Sequence, residues 1–195
     1  MRNPIMVGER VYLRPLEVED AEAIAAMDAG ETDTFMWRDR TPTSPLEHAQ
    51  NIADAYRRQP PGRIILAVCL REGDRTIGTV ALFDIDWVNR TGETGSFLAA
   101  DVRGRALGTE AKHLLLEYCF DRIHLHVLRS EVDEPNTRSA AALAKQGYRP
   151  AGRRKWHDIK DGRYFDMLLF DVTRPDWLAA RDAWRATRAA GSAAT

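Results

Sequence analysis

The chain has 195 residues, 44% of them apolar and 29% charged. That length suits one domain of roughly 100 to 200 residues, and the composition can fill a core, which excludes disordered, collagen-like and two-enzyme-domain readings. With 28 Lys and Arg against 29 Asp and Glu, the net charge is −1, so the broad positive field of a dedicated nucleic-acid binder is missing.

In chain order, residues 9–16 alternate polar and apolar side chains up to Pro15, predicting an edge strand. Asp20 caps a helix carrying Ala23, Ile24 and Met27 and stopping near Gly30; a polar loop with Phe35, Met36 and Trp37 follows. Ser44-Pro45-Leu46-Glu47 combines an N-cap, a proline at the first helical position and a glutamate three residues after the cap, predicting a helix to about Gln59. Ile64–Leu70, 76–87 and 92–99 are β-rich runs parted by turn residues, which predicts a three-stranded antiparallel meander. Then Arg103-Gly104-Arg105-Ala106-Leu107-Gly108-Thr109-Glu110 opens a helix whose Ala111, Leu114, Leu115, Tyr118 and Cys119 share one face. A strand over 127–133, an alanine-rich helix over 136–146, strands over 148–158 and 164–172, and a last helix through Trp184 complete the order.

The fold class expected is α/β (α+β), a mixed, mostly antiparallel twisted sheet of about seven strands with helices on both faces. One domain should span 5–180, with 181–195 as a helix end and a frayed Ala-rich tail. Cys69 and Cys119 both lie in apolar runs and make no disulfide framework. No run of 18 apolar residues and no apolar leader is present, so membrane spanning is not expected and the setting expected is cytoplasmic.

The segment 103–109 is the most informative. Glycines let a backbone approach a ligand closely, and the free amides at a helix start bind phosphate oxygens; Arg103 and Arg105 favour an anion there, whereas a plain strand-to-helix turn would need neither. The P-loop and dinucleotide-binding patterns are absent. His124 and His126 share a strand face but lack a third ligand at useful spacing, so no metal is expected. GxSxG is missing and Cys119 lies on an apolar helix face, which disfavours a serine or cysteine hydrolase.

Arg103 to Gly108 resembles the coenzyme A pyrophosphate loop of the GNAT superfamily of N-acyltransferases: Arg or Gln, two variable residues, Gly, one variable residue, then Gly or Ala. Ala106 replaces the first glycine, which keeps the site small but demands a φ compatible with a Cβ. Thr109-Glu110-Ala111, Asn136-Thr137-Arg138-Ser139 and Lys145-Gln146-Gly147-Tyr148-Arg149, the last resembling the family's "EKLGF" segment, extend the likeness. The ends, through Asp176-Trp177, resemble the RimJ/RimL branch, which acetylates ribosomal-protein N-termini.

The resemblance implies a GNAT-like sheet splayed where the cofactor arm enters, and direct transfer of an acetyl or related acyl group from coenzyme A to an amine. Arg103, Gly104, Arg105, Ala106, Leu107, Gly108 and Thr109 would hold the diphosphate. The backbones of Phe97, Leu98 and Ala99 would pair with the pantetheine arm like an added strand. A base is needed because the amine is largely protonated at pH 7, and Glu131 and Glu93 are the candidates. Many relatives place a tyrosine seven residues after the helix asparagine; here that residue is Leu143, so Ser139 is proposed as the donor to the departing thiolate. Asn136 binds the arm or caps its helix. Trp37, Asp84 and Trp87, with Asp86, would wall the acceptor side. The implied partners are acyl-CoA and an amine acceptor, either a protein N-terminus or a small molecule; a homodimer is compatible. Two other readings stay open: an acyl-CoA sensor without turnover, and a ribosome- or RNA-associated protein acting through Arg149, Arg153, Arg154 and Lys155.

Overall fold

A computed structural model describes residues 1–31 and 44–192. Eight strands form one sheet: β1 (Met6–Val7), β2 (Val11–Pro15), β3 (Ile64–Leu70), β4 (Thr76–Asp86), β5 (Thr91–Leu98), β6 (Val127–Asp133), β7 (Arg149–Lys160) and β8 (Arg163–Thr173). Their order is β1-β2-β3-β4-β5-β6-β8-β7. Neighbours are antiparallel except β5 and β6, which run parallel. This is the mixed sheet expected, with one strand more than about seven: β1, at two residues, is too short to leave an alternation signal.

β1 also corrects the edge placement of residues 9–16, because Met6 and Val7 pair with Leu13 and Tyr12. Pro15 is tolerated for a local reason. Leu16 N–H donates to Ile65 O at 3.3 Å, so the ladder's alternation turns the Pro15 nitrogen away from β3, toward a stretch β1 does not cover.

The strand alternation sends opposite side chains into two cores. Tyr12, Ala67 and Cys69 pack with Ala21, Ile24 and Ile52 from helices α1 (Ala21–Ala29) and α2 (Pro45–Ala55). Val11, Leu13, Leu66 and Val68 face the other way, toward Ala111 and Leu115 of α3 (Leu107–Glu117), Leu143 of α4 (Thr137–Lys145) and Trp177 of α5 (Arg174–Ser192). Ser44 caps α2 as its sequence predicts, its Oγ accepting from Glu47 N–H at 3.2 Å, although the helix stops at Ala55 rather than Gln59.

The last helix, expected to end near Trp184 with a frayed stretch from Ala186, is helical to Ser192. Side chains from elsewhere in the chain anchor it. Trp177 Nε1–H donates to His113 Nδ1 at 3.2 Å, the Trp184 ring lies 4.9 Å from the His113 ring, and Arg188 reaches Glu9 at 2.5 Å. Among the described residues no helix is long and apolar enough to cross a membrane, and no three His, Cys, Asp or Glu side chains cluster as metal ligands would.

Candidate active site

The site begins where two strands part. β5 and β6 pair only over Thr91–Glu93 and Val127–Arg129, yet β5 continues to Leu98 and β6 to Asp133, so the strands open like a V just past Glu93. Hydroxyls lock the apex. Ser130 Oγ donates to Thr94 O at 2.9 Å and Thr94 Oγ1 donates to Arg129 O at 3.2 Å. Thr94 thereby spends its one proton, so Tyr148 is the donor in its 2.5 Å bond to Thr94 Oγ1. Burial pushes the Tyr148 hydroxyl well above its usual range.

Beyond the apex one edge of β5 has no neighbouring strand among the described residues. Ala99 N–H donates to Ile77 O at 3.0 Å, and the alternation of an antiparallel ladder therefore turns Phe97 as well as Ala99 toward β4, leaving Ser96 and Leu98 facing the gap. The trio expected to pair with a cofactor arm is corrected accordingly: Leu98 keeps the right orientation, Phe97 and Ala99 do not, and Ser96 joins it.

The chain then turns through Ala100–Val102 and Gly104, at φ +76°, into α3. Ala106 stands just before Leu107 with φ +59°, in the left-handed region that favours glycine. This is the conformation its place in the loop demands. The first backbone bond of the helix is Glu110 N–H to Ala106 O, 3.2 Å, so the N–H groups of Leu107, Gly108 and Thr109 have no carbonyl one turn earlier. They form, with the helix dipole behind them, a site for phosphate oxygens. A buried side chain anchors this helix start: the Glu110 carboxylate accepts from Arg10 N–H at 2.8 Å and Val11 N–H at 3.3 Å, while Arg10 Nη1 donates to Arg105 O at 2.9 Å.

Arg103 is engaged within the chain. Its Nε donates to Leu98 O at 2.9 Å and its guanidinium pairs with the buried Glu31, so it braces the gap's edge against a residue 72 positions earlier. Arg105 and Gly104 are exposed at the loop's rim.

Facing β5 across the gap stands α4. Asn136 caps it, Oδ1 accepting from Ser139 N–H at 3.1 Å. Between α4, the loop and β5 lies a cavity of about 510 Å³ bordered by Ser96, Leu98, Ala106, Gly108, Thr109, Asn136, Ser139, Ala142 and Gln146. Leu143 is in the core and Tyr148 is committed to Thr94, so Ser139 is the α4 hydroxyl on this wall.

The two candidate carboxylates share a face. Glu93 is in register with Arg129, and Glu131 lies two residues further along β6. Their surroundings differ. Arg154 grips both Glu131 oxygens, at 2.7 and 2.6 Å. Glu93, half-buried at the apex, has no ion-pair partner among the described residues. Burial first, then the neighbouring Glu131 and Asp84, raise its pKa above the usual carboxylate range. Asp84 itself is exposed, in an irregular stretch of β4 with φ +45°. Asp86, the last residue of β4, accepts from Val88 and Asn89 N–H, and Trp87 Nε1–H donates to Pro61 O at 2.9 Å. Trp37 lies outside the described residues.

Glu31, Glu110, Arg154 and Gln146 belong to this neighbourhood, although none of them was given a side-chain role at this site from sequence. Each works through a partner that only folding supplies, and a lone glutamate or glutamine carries no spacing signal. Three members of the basic run read for RNA are in ion pairs: Arg149 with Asp176, Arg153 with Glu134 and Asp166, and Arg154 with Glu131; Lys155 lies over the Trp156 ring at 4.9 Å.

Comparison with known proteins agrees with this geometry. The acetyltransferase (GNAT) domain matches residues 10–149. "Probable N-acetyltransferase YjcK" of Bacillus subtilis (strain 168) is 28% identical over 178 residues, 88% of this chain and 98% of that protein. The [ribosomal protein uS5]-alanine N-acetyltransferase of Escherichia coli (strain K12) is 30% identical over 79 residues, 40% of this chain and 41% of that protein. Among solved structures, the Vibrio cholerae spermidine N-acetyltransferase in complex with CoA and spermine superposes with a TM-score of 0.79 at 19% identity, covering 88% of this chain and 99% of that one. Mycobacterium smegmatis RimJ in complex with CoA-disulfide gives 0.76 at 24%, covering 91% and 90%. Matched over more than half its length, the chain belongs to the acetyltransferase (GNAT) domain family and is an acetyl-CoA-dependent N-acetyltransferase.

Proposed function

We propose that the chain acetylates a primary amine, of a protein N-terminus or of a small molecule, delivered to the carboxylate at the apex of the β5–β6 gap. The observation that carries this reading is the parting of the strands immediately after Glu93, which leaves a raised-pKa carboxylate where the pairing ends, on the strand whose next residues, Ser96 and Leu98, border the cavity beside the phosphate-binding helix start.

Acetyl-CoA, when bound, supplies the acyl group as a thioester with a thiolate leaving group. The residues that would hold it fit its chemistry. Amides of Leu107, Gly108 and Thr109 hold the diphosphate, and the backbone edge at Ser96 and Leu98, where Leu98 O already accepts from Arg103 Nε, orients the arm. Glu93 takes the proton of the acceptor ammonium, directly or through one water. An α-amino group has a pKa of about 7.7–8.0 and a lysine-type amine about 10.4, so a base must act before the nitrogen can attack, and a carboxylate raised toward neutrality is the better one. Glu131, engaged by Arg154, positions the acidic wall rather than moving a proton. The Ser139 hydroxyl is the hydrogen-bond donor we assign to the departing sulfur.

Asp84 and Glu131 lie close enough to Glu93 to raise its pKa, and with Glu131 offset by Arg154 the remaining negative charge suits a cationic acceptor. The test is acetyl-CoA with a panel containing an alanine-initiated peptide, a serine-initiated peptide and spermidine, read by mass spectrometry of the amine and by thiol release. Acetylation of at least one member is expected. Binding of acetyl-CoA with no amine acetylated would overturn the reading.

A further inference from the structure

A second cavity, of about 420 Å³, lies between the C-terminal end of α2 and β4, bordered by Asp54, Arg58, Gly62, Arg63, Phe83 and Asp84. Strand register connects it to Glu93. Ala67 and Cys69 of β3 face α1 and α2, and in β4 Ala67 pairs with Thr79 and Ile65 with Ala81, so by alternation Phe83 faces the α2 side as well. Phe83 stands directly opposite Glu93, and opposed residues send their side chains to one face. A Cβ at Gly95 would come within 2.9 Å of Phe83 Cε2, so the ring leans over β5 where β5 and β6 have parted. Asp84 is a near neighbour of Glu93, whose pKa it helps to raise.

Charge divides this cavity. Asp84, beside Glu93, lies on the sheet side. Toward α2, Arg63 Nη2 donates to Asn51 O at 2.8 Å, and Arg58 Nη1 lies 3.5 Å from where a Gly62 Cβ would stand. Asp54 is offset by Arg57 at 3.1 Å, whereas Arg58 has no ion-pair partner among the described residues. An acceptor that brings its ammonium to Glu93 and Asp84 therefore meets two guanidiniums with the rest of its length. A second cation there is repelled, and a carboxylate is held by charge-assisted hydrogen bonds that the arginine fork matches. Amine and carboxylate are then parted by at least the strand spacing of about 4.7–4.9 Å, too far for the α-carboxylate of a free amino acid and within reach of an acidic side chain further along a peptide. We propose that this cavity is a second acceptor subsite in which Arg58, assisted by Arg63, binds a carboxylate while the amine reaches Glu93, so that the preferred acceptor is a peptide N-terminus followed by an acidic residue rather than a polyamine. The inference rests on the reading of Glu93 as the base.

Steady-state acetylation of amidated, alanine-initiated pentapeptides tests it: one Glu at position two, three or four, the Gln and Lys counterparts of each, and spermidine. At least one Glu peptide should exceed its Gln counterpart by about tenfold in kcat/KM, through KM, the order of one charge-assisted hydrogen bond. Arg58→Gln should shrink that preference to within about twofold, and Arg58→Glu should drop the Glu peptide below its Lys counterpart, a reversal that a merely structural role would not produce. CoA affinity by calorimetry should stay within about twofold of wild type in both variants, because Arg58 borders this cavity and not the one beside α4. Equal rates for every Glu and Gln pair would overturn the proposal, as would spermidine outperforming all the Glu peptides or a Glu preference that survives in both variants. Acetylation of no amine in the panel, with CoA still bound, would instead bring down the reading of Glu93 beneath it.

Discussion

Replacing Ala106 by glycine tests whether the loop before α3 stores strain. The residue is exposed and holds φ +59°, a region that costs an L-residue about 1–2 kcal/mol. Because its methyl is exposed, little packing is lost with it. Glycine removes the strain but gives back about 0.4–1 kcal/mol through the greater freedom of the unfolded chain. The difference is a net stabilisation of about 0.5–1 kcal/mol, or a rise in Tm of about 1–4 °C for a chain of this size. The amides of Leu107, Gly108 and Thr109 are untouched, so CoA affinity measured by calorimetry should change by less than about twofold, well under 1 kcal/mol. Ala106→Val, which forces a β-branched side chain into the same conformation, should lower Tm and weaken CoA binding together. A lower Tm for Ala106→Gly than for wild type, in thermal melts followed by circular dichroism, would refute the assignment of strain to this alanine.

A Cβ at Gly108 would meet Leu98 Cδ1 and Cδ2 at 3.5 and 3.6 Å, ordinary contacts, so Gly108→Trp should grow into the cavity, abolish CoA binding in titrations and leave the circular dichroism spectrum intact. Glu93→Gln should lower kcat/KM by about 10²–10⁴-fold and erase an acid limb that lies, in the wild type, above the ordinary carboxylate range because the Glu93 pKa is raised; Glu131→Gln should leave that limb in place. Asp20→Asn tests the buried pair in which Arg14 donates to both Asp20 oxygens at 2.7 and 2.6 Å. It strands a guanidinium that is 3% exposed and should cost about 3–5 kcal/mol in urea melts. The Asp20 pKa is lowered in the fold: burial alone would raise it, but the hydrogen bonds from Arg14 and Glu17 N–H outweigh that. Its contribution is therefore fully present above the unfolded carboxylate's pKa and lost as pH falls through the lower folded value, an acid-side loss that the Asp20→Asn variant should not show.

Much of the architecture was readable because its causes are local. The Ser44-Pro45 cap, the three-run meander from Ile64 to Leu98 and the glycine-bearing start of α3 each depend on neighbours a few residues away, and all three stand in the fold. The family likeness was carried by such segments too. What sequence could not apportion was charge. Arg103, which looked like a phosphate ligand, is engaged by Glu31, and Glu131, the better base on paper than Glu93, is filled by Arg154. The same holds for the edge of β5, where which of Ser96, Phe97, Leu98 and Ala99 faces the gap follows from the register with β4. Helix caps, turns and apolar periods are set by covalent neighbours, so the linear order determined them. Proton affinity, ion pairing and the choice of an open strand edge depend on distances between residues tens of positions apart, and only the closed sheet, parted after Glu93, decided those.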